Sequence, residues 1–127
     1  MTPFPVMVRV DTPLDEIAEL MAQNDITGVP VVDASGDLIG VVSQTDMIRA
    51  AATTGSGLRP WSGYTARHIM SRHPVAVHAD TPLVEAASRL ERHGIHRLVV
   101  VDEDGRTPIG VVSVTDLLPL LVDAADV

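Results

Sequence analysis

The chain has 127 residues and a formal net charge of −8, and 46% of its residues are hydrophobic. This length predicts one domain or two small fused halves, with an ordinary globular composition. Cysteine is absent and neither half of the sequence is net basic, so we expect no disulfide or thiolate chemistry, a cytoplasmic location and no nucleic-acid partner. No apolar run reaches the ~20 residues of a membrane span, and no secretory leader is expected.

The sequence contains an internal duplication. Residues 1–14 recur as residues 70–83 with the same residue at eight of the fourteen positions, and Gly40–Asp46 recurs as Gly110–Asp116. Each copy has about 55 residues, a size at which an isolated core buries only ~60% of the unfolded surface. We therefore expect the two copies to pack about a pseudo-twofold axis, with two equivalent clefts where they meet.

Each copy is expected to contain a long amphipathic helix near its start. Thr12 is the expected cap of the first helix, with Pro13 in its first turn, and Thr81 and Pro82 repeat this start. Gly94 is expected to end the second helix. The apolar positions that follow helical spacing are Leu14, Ile17, Ala18 and Met21, then Leu83, Ala86, Ala87 and Leu90.

A β-hairpin is expected after each of these helices, because two β-branched runs flank a turn-forming segment in both copies. The turns are Ala34-Ser35-Gly36-Asp37 and the Asp104-Gly105 pair. The expected strands are residues 29–32, 38–43, 98–101 and 109–113.

A short second helix is expected to begin at Asp46 and again at Asp116. Pro119 supports this register, because proline is tolerated in the first helical turn, where N–H groups are unpaired. The sequence thus predicts repeat 1 at residues 1–54, a linker rich in Gly, Pro and Ser at 55–66, and repeat 2 at 67–127. The element order of each repeat is βαββα.

These motifs resemble the cystathionine β-synthase (CBS) domain, in the tandem pair called a Bateman module. The motifs are Met-Thr/Ser-x-x-Pro-x-x-Val-x-x-Asp-Thr-Pro-Leu, a Val-Val-Asp strand end and Gly-Val-Val-Ser-x-Thr-Asp, and both copies carry them in this order. Residues 94–103 are especially similar to the nucleotide-sensing gamma subunit of AMP-activated protein kinase. The resemblance covers nearly all of the chain outside the linker, and it implies an α+β fold.

The resemblance implies regulatory binding of adenine-containing ligands in the clefts between the repeats. The candidates are AMP, ADP, ATP and S-adenosyl compounds, with or without Mg²⁺, and no cofactor is required. In the family, the aspartate of Ser-x-Thr-Asp holds the ribose and the preceding hydroxyls face phosphate, while residues 1–8 and 70–77 would flank the base. The implied ligand-binding residues are Asp46, Asp116, Ser43, Thr45, Ser113, Thr115, His96, Arg97, Ile26, Thr27 and Gly28.

Structural roles compete with these assignments. Asp46 and Asp116 are also well placed to cap helices, and Ser43 and Ser113 to satisfy backbone groups at strand ends. The alternative for Arg97 is an ion pair with a nearby carboxylate. A carboxylate nevertheless suits a ribose, because it accepts hydrogen bonds from two vicinal hydroxyls.

The two clefts are expected to differ. Thr27-Gly28 in repeat 1 occupies the place of His96-Arg97 in repeat 2, so one cleft is expected to bind an anionic nucleotide more tightly. Trp61 is expected to pack the linker onto the core rather than to flank a base. His68 stands where the family often has an acidic residue.

A regulator is expected rather than an enzyme. The sequence has no nucleophile motif, no Walker loop and no convincing set of metal ligands. The apolar run Leu117-Leu118 and Leu120–Val122 resembles helices through which family members pair, so a homodimer is expected, together with a regulated enzyme or transporter. The alternative is an interaction module that binds no nucleotide.

Overall fold

The computed structural model describes residues 2–3, 6–54, 61, 63–72 and 74–125. Contacts divide the chain into two compact units. The first-repeat unit is Val6–Pro74, and the second-repeat unit is Val75–Val127 together with Met1–Pro5. Each unit has a four-stranded sheet and the βαββα order, which confirms the α+β fold with two repeats.

The chain begins with β1 (Thr2–Pro3), a strand of the second-repeat unit. The sheet of the first-repeat unit has the order β2-β3-β4-β5, in which only the β2–β3 pair is parallel. The elements of this unit are β2 (Val8–Arg9), α1 (Leu14–Asn24), β3 (Gly28–Val32), β4 (Leu38–Ser43), α2 (Gln44–Thr54), α3 (Ala66–Ile69) and β5 (Ser71–Arg72). Every residue of β3 is buried, so this strand forms the centre of the core.

The second-repeat unit repeats this architecture. Its sheet has the order β1-β8-β7-β6, with β1 antiparallel to β8 and β6 parallel to β7. Its other elements are β6 (Ala76–His78), α4 (Leu83–His93), β7 (Arg97–Val101), β8 (Pro108–Ser113) and α5 (Val114–Ala125). The core lies between the sheet and the two helices, with Leu98 fully buried and Leu90 and Leu117 buried from the helical side.

Both predicted hairpins are confirmed, and an aspartate organises each turn. The Oδ1 atom of Asp33 accepts the N–H groups of Ser35 (2.9 Å) and Asp37 (3.0 Å). The carboxylate of Asp104 accepts the Thr107 hydroxyl at 2.6 Å and the N–H groups of Arg106 and Thr107. These bonds stabilise the charged form and lower the pKa of Asp104 from its usual 3.8 to about 2.

The predicted capping of the long helices by threonine is wrong. Pro13 is the N-cap residue of α1, and its carbonyl accepts the N–H groups of Glu16 and Ile17. The hydroxyl of Thr12 instead accepts the N–H of Arg9 at 2.9 Å and closes the preceding turn. Thr81 makes the same turn contact in the second repeat, at 3.0 Å to the N–H of His78.

The predicted start of the second helices is also wrong, by two residues. The helices α2 and α5 begin at Gln44 and Val114, before Asp46 and Asp116. Pro119 therefore lies inside α5, where its missing N–H leaves the carbonyl four residues earlier without its usual helical partner. The helix begins earlier because a serine, and not the aspartate, is its first capping residue.

The predicted end of α4 is confirmed, since Gly94 ends the helix with a φ of 62°. Left-handed backbone of this kind suits glycine, which has no Cβ. In α1 the same role falls to Asp25, with a φ of 51°.

The second half of the predicted linker packs against the first-repeat unit. Residues 55–60 and 62 of the linker lie outside the described residues. The indole N–H of Trp61 donates to the carbonyl of Met47 at 3.0 Å, and the ring packs on the core. This confirms the structural role predicted for Trp61. Of the helices that the structure describes, none has the length and apolar character needed to cross a membrane.

Candidate functional site

The Ser-x-Thr-Asp motif of the first repeat lies where β4 passes directly into α2. The Oδ2 atom of Asp46 accepts the N–H of Ser43 at 2.8 Å, and the N–H of Asp46 donates to the Ser43 hydroxyl at 3.1 Å. This reciprocal pair satisfies donors that a helix start otherwise leaves open. Ser43 is buried, and the side chain of Asp46 is 15% exposed.

The second repeat carries the same arrangement between β8 and α5. The Oδ2 atom of Asp116 accepts the N–H of Ser113 at 3.0 Å, and the N–H of Asp116 donates to the Ser113 hydroxyl at 3.2 Å. Asp116 is exposed here. We refer to these two places as the helix-start sites of the two units.

Each helix-start site is hydrogen-bonded to a turn of its own unit, the turn that joins α1 to β3 or α4 to β7. The N–H of Gln44 donates to the carbonyl of Thr27 at 2.9 Å, and the N–H of Val114 donates to the carbonyl of His96 at 2.9 Å. Across the antiparallel hairpins, Gly28 pairs with Ser43 and Arg97 pairs with Ser113. Residues distant in sequence are thus brought to one end of each sheet.

The structure therefore groups the predicted residues by unit. Four of them are exposed, namely Thr27, Thr45, His96 and Thr115. Ile26 packs partly against the core, and Gly28 is buried. One group is Ile26, Thr27, Gly28, Ser43, Thr45 and Asp46; the other is His96, Arg97, Ser113, Thr115 and Asp116. Of the segments predicted to flank the base, Met1, Phe4, Pro5 and His73 lie outside the described residues.

The capping alternative is correct for both aspartates, yet it uses only one oxygen of each. The Oδ1 atom of Asp46 lies 3.7 Å from Nη1 of Arg49, in an ion pair whose arginine is largely exposed. For Oδ1 of Asp116 the described residues supply no hydrogen-bond partner. A carboxylate has about four lone-pair positions, so each aspartate retains capacity to accept hydroxyl groups from a ligand.

Arg49 is a residue that the sequence reasoning missed. It follows Asp46 by three positions on α2, a spacing that brings helical side chains together. The corresponding position in the second repeat is Pro119. Basic residues near the two motifs therefore lie on different elements, at Arg49 in the first-repeat unit and at His96-Arg97 in the second-repeat unit.

An apolar groove lies on the helical side of the second-repeat unit. Its volume is about 400 Å³. It runs between α4 and α5 and is lined by Ala87, Leu90, Glu91, Gly94, Ile95, His96, Val114, Leu117, Leu118 and Leu121. Leu118 in this lining is 60% exposed, and Leu120 and Val122 beside the groove are 46% and 53% exposed. The α5 helix thus presents apolar side chains that the described chain leaves exposed.

Within the described residues, no group of three or more His, Cys, Asp or Glu side chains is placed to hold a metal ion. The helix-start sites present carboxylate acceptors, hydroxyl groups and the N-terminal turn of a helix. Such a set suits a sugar and a nearby anion.

Two copies of a βαββα unit, each with a reciprocal Ser–Asp pair at its second helix, define a tandem repeat of one α+β domain. The sequence model of the CBS domain family matches residues 1–53 and 66–123 of this chain. The chain belongs to the CBS domain family and carries the two repeats of a Bateman module.

Solved structures of CBS domain pairs are similar over almost the whole chain. The CBS domain protein PAE2072 from Pyrobaculum aerophilum, complexed with AMP, has a TM-score of 0.82 and 26% identity and covers 100% of this chain and 95% of that one. The CBS domain pair of protein MJ0100, in complex with 5′-methylthioadenosine and S-adenosyl-L-methionine, has a TM-score of 0.82 and 25% identity, covering 98% and 92%.

A longer relative contains a region similar to this chain. Homoserine O-acetyltransferase of Methanococcoides burtonii is 35% identical over 121 residues, which is 95% of this chain and 23% of that enzyme. The chain thus spans less than a quarter of this relative, and the similarity concerns that part alone.

Proposed function

We propose that the chain is a regulatory module that binds an adenine-containing ligand at its helix-start sites. The single observation that carries this proposal is the duplicated Ser–Asp pair, in which one oxygen of each carboxylate caps the helix. The other oxygen accepts no hydrogen bond from the described residues, and that of Asp46 forms a 3.7 Å ion pair with Arg49. The complexes of similar CBS domain pairs with AMP, and with 5′-methylthioadenosine and S-adenosyl-L-methionine, support the choice of ligand class.

In this proposal the ribose hydroxyls donate to Asp46 or Asp116. Each charge-assisted hydrogen bond of this type contributes roughly 1.5–3 kcal/mol. A phosphate group placed directly against the carboxylate would be repelled, so the phosphate lies beside the exposed hydroxyls of Thr45 or Thr115 and the helix N-terminus. In the second-repeat unit His96 and Arg97 supply positive charge or hydrogen-bond donors to it.

We further propose that the two sites differ in affinity. The second-repeat unit has His96-Arg97 at the turn where the first-repeat unit has Thr27-Gly28. Arg49 gives the first-repeat unit its own cation, but this guanidinium is paired with Asp46. An anionic nucleotide is therefore expected to bind more tightly at the second-repeat unit.

The proposed regulatory effect is a population shift. A ligand that contacts one arrangement of the protein better than another favours that arrangement, and a regulated enzyme or transporter would respond to it. The expected affinity is micromolar to millimolar, about −8 to −4 kcal/mol. The proposed setting is cytoplasmic, in keeping with the absence of cysteine.

Calorimetric titration of the full chain with AMP, ADP, ATP, S-adenosylmethionine and NAD, each with and without Mg²⁺, tests this proposal. At least one of these ligands is expected to bind. Asp116→Asn is expected to weaken that binding by about tenfold or more, because the carboxylate loses its charge. Asp46→Asn tests the other site in the same way.

Asp15→Asn is the matched control, since Asp15 is an exposed acid in the first turn of α1, away from both motifs. It is expected to leave affinity unchanged. If no ligand binds the wild type, or if Asp15→Asn weakens binding as much as Asp116→Asn, the proposed site is wrong.

The second candidate function is an interaction module that pairs through α5 and binds no nucleotide. The exposed apolar side chains of α5 favour it. Homodimer formation and ligand binding are compatible, so they need separate tests, and the dimer is treated below.

A further inference from the structure

We infer that His68 is a proton-sensitive cap that holds the segment 64–67 against the first-repeat unit. The N–H of Thr65 donates to Nδ1 of His68 at 2.9 Å. Thr65 is the N-cap residue of α3 and His68 is its third helical residue, so the pair has the geometry of a capping box. This inference does not depend on the proposed ligand.

The cap requires a neutral imidazole with its proton on Nε2, because only an unprotonated Nδ1 can accept a hydrogen bond. A protonated ring has N–H donors on both nitrogens and would place two donors face to face. The Thr65 hydroxyl also contacts Nδ1, at 3.3 Å, and it donates to the neutral ring but accepts from a protonated one. Protonation would therefore break the amide contact, reverse the direction of the hydroxyl contact, and leave the Thr65 N–H without this acceptor.

The capped segment is fastened to the start of α1 by backbone hydrogen bonds. The carbonyl of Tyr64 accepts the N–H of Leu14 at 3.0 Å, the N–H of Ala66 donates to Thr12 at 3.0 Å, and the N–H of Arg67 donates to Val10 at 2.9 Å. Directly after α3, β5 pairs with β4. The segment 64–67 thus closes the start of α1, and the chain continues from it through α3 into the edge strand β5.

Among the described contacts of His68, the hydrogen bond from the Thr65 N–H is the one that protonation of the ring would break. The ionisable and charged residues on α3 and on the segments against it are Arg9, Asp11, Asp15, Asp46, Arg49, Tyr64 and Arg67. His68 forms no ion pair with any residue that the structure describes. The Tyr64 ring meets the imidazole edge to face, with centroids 5.4 Å apart.

Histidine at this position makes the cap dependent on pH. Capping boxes ordinarily have Glu or Gln at this position, and both accept an N–H throughout the neutral range. Histidine is the side chain that ordinarily changes its charge between about pH 5 and pH 8. We therefore expect the segment 64–67 to be firmly attached at the upper end of this range and loosened at the lower end.

Nuclear magnetic resonance on the full chain tests the inference. Imidazole ¹⁵N shifts are expected to show His68 as the Nε2–H tautomer when neutral. The hydrogen-exchange protection factor of the Thr65 amide is expected to fall about fivefold when the pH is lowered from about 8 to about 5. This fivefold change corresponds to the ~1 kcal/mol that a cap contributes. A protection factor already corrects for the intrinsic effect of pH on exchange.

His68→Gln is the informative variant, because the glutamine carbonyl accepts the N–H and does not titrate. Its Thr65 protection is expected to stay constant over the same range, while His93→Gln, at the exposed end of α4, is expected to behave like wild type. An Nδ1–H tautomer in wild type would overturn the inference. So would a loss of protection in His68→Gln equal to that in wild type.

Discussion

At the scale of single residues, the Ser–Asp pair satisfies two backbone N–H groups at the start of the helix. The serine hydroxyl accepts a helix N–H, while the aspartate accepts the N–H of the serine itself. The sequence motif alone left capping and ribose binding as alternatives. The structure establishes capping, and the second carboxylate oxygen, which accepts no hydrogen bond from the described residues, allows ribose binding to be proposed.

Ser43→Ala is expected to lower the free energy of unfolding by about 1 kcal/mol. The loss has a physical cause, since the N–H of Asp46 loses its acceptor at a buried position. Urea denaturation measures the change. Thr45→Ala is the matched control because Thr45 is an exposed hydroxyl residue two positions away; an equal loss in both variants would contradict the capping role.

At the scale of elements, the sequence predicted what is long and periodic. The 3.6-residue pattern located α1 and α4, and the β-branched runs located β3, β4, β7 and β8 to within a residue or so. The starts of α2 and α5 were predicted at the aspartates, because aspartate is a common N-cap residue. In the structure the preceding serine hydroxyl accepts the helix N–H, so each helix begins two residues earlier.

Short elements were not predicted, for a different reason. The strands β1 and β5 have two residues each and α3 has four, which is too short for any periodicity to appear. Their formation depends on partners far along the chain, as in the pairing of β1 with β8. The functional assignments came from the family resemblance, and they remain proposals at each residue.

Met70 and the edge strand β5 crowd the position that a side chain at Gly40 would occupy. A Cβ there would lie 2.8 Å from Sδ of Met70 and 3.1 Å from the backbone oxygen of Ser71. Gly40→Ala is therefore expected to destabilise the first-repeat unit by about 1–3 kcal/mol, as overpacking does. Thermal or urea unfolding measures the effect.

Gly40→Ala should cost less in a Met70→Ala background, because the sulfur contact is removed while the contact with the Ser71 oxygen stays. Strict additivity of the two substitutions would show that the Met70 contact is not the source of the strain.

At the scale of the whole molecule, the two units are repeats in topology and differ in surface. The α5 helix exposes Leu118, which lines the apolar groove of about 400 Å³, together with Leu120 and Val122. The equivalent positions in α2 are Ile48, Ala50 and Ala52, so the second repeat carries the more extensive apolar face. This difference supports the proposed homodimer.

Leu118→Glu is expected to convert the proposed dimer into a monomer, because a carboxylate would have to be buried without a partner. Sedimentation at micromolar concentration measures the molecular mass, and circular dichroism verifies the fold. Val84→Glu is the control, since Val84 is 75% exposed on α4 but lies outside the groove lining. A monomeric wild type, or equal dissociation by both variants, would argue against pairing through this face.

The pairing of β1 with β8 has a consequence for a single repeat. The first strand of the sequence completes the sheet of the second repeat, and β5, which opens the second copy of the motif, completes the sheet of the first. A lone repeat would therefore need the leading strand of a second molecule to complete its sheet. Joining the two repeats in one chain makes this strand exchange intramolecular, at an effective concentration that a short flexible tether sets at about millimolar.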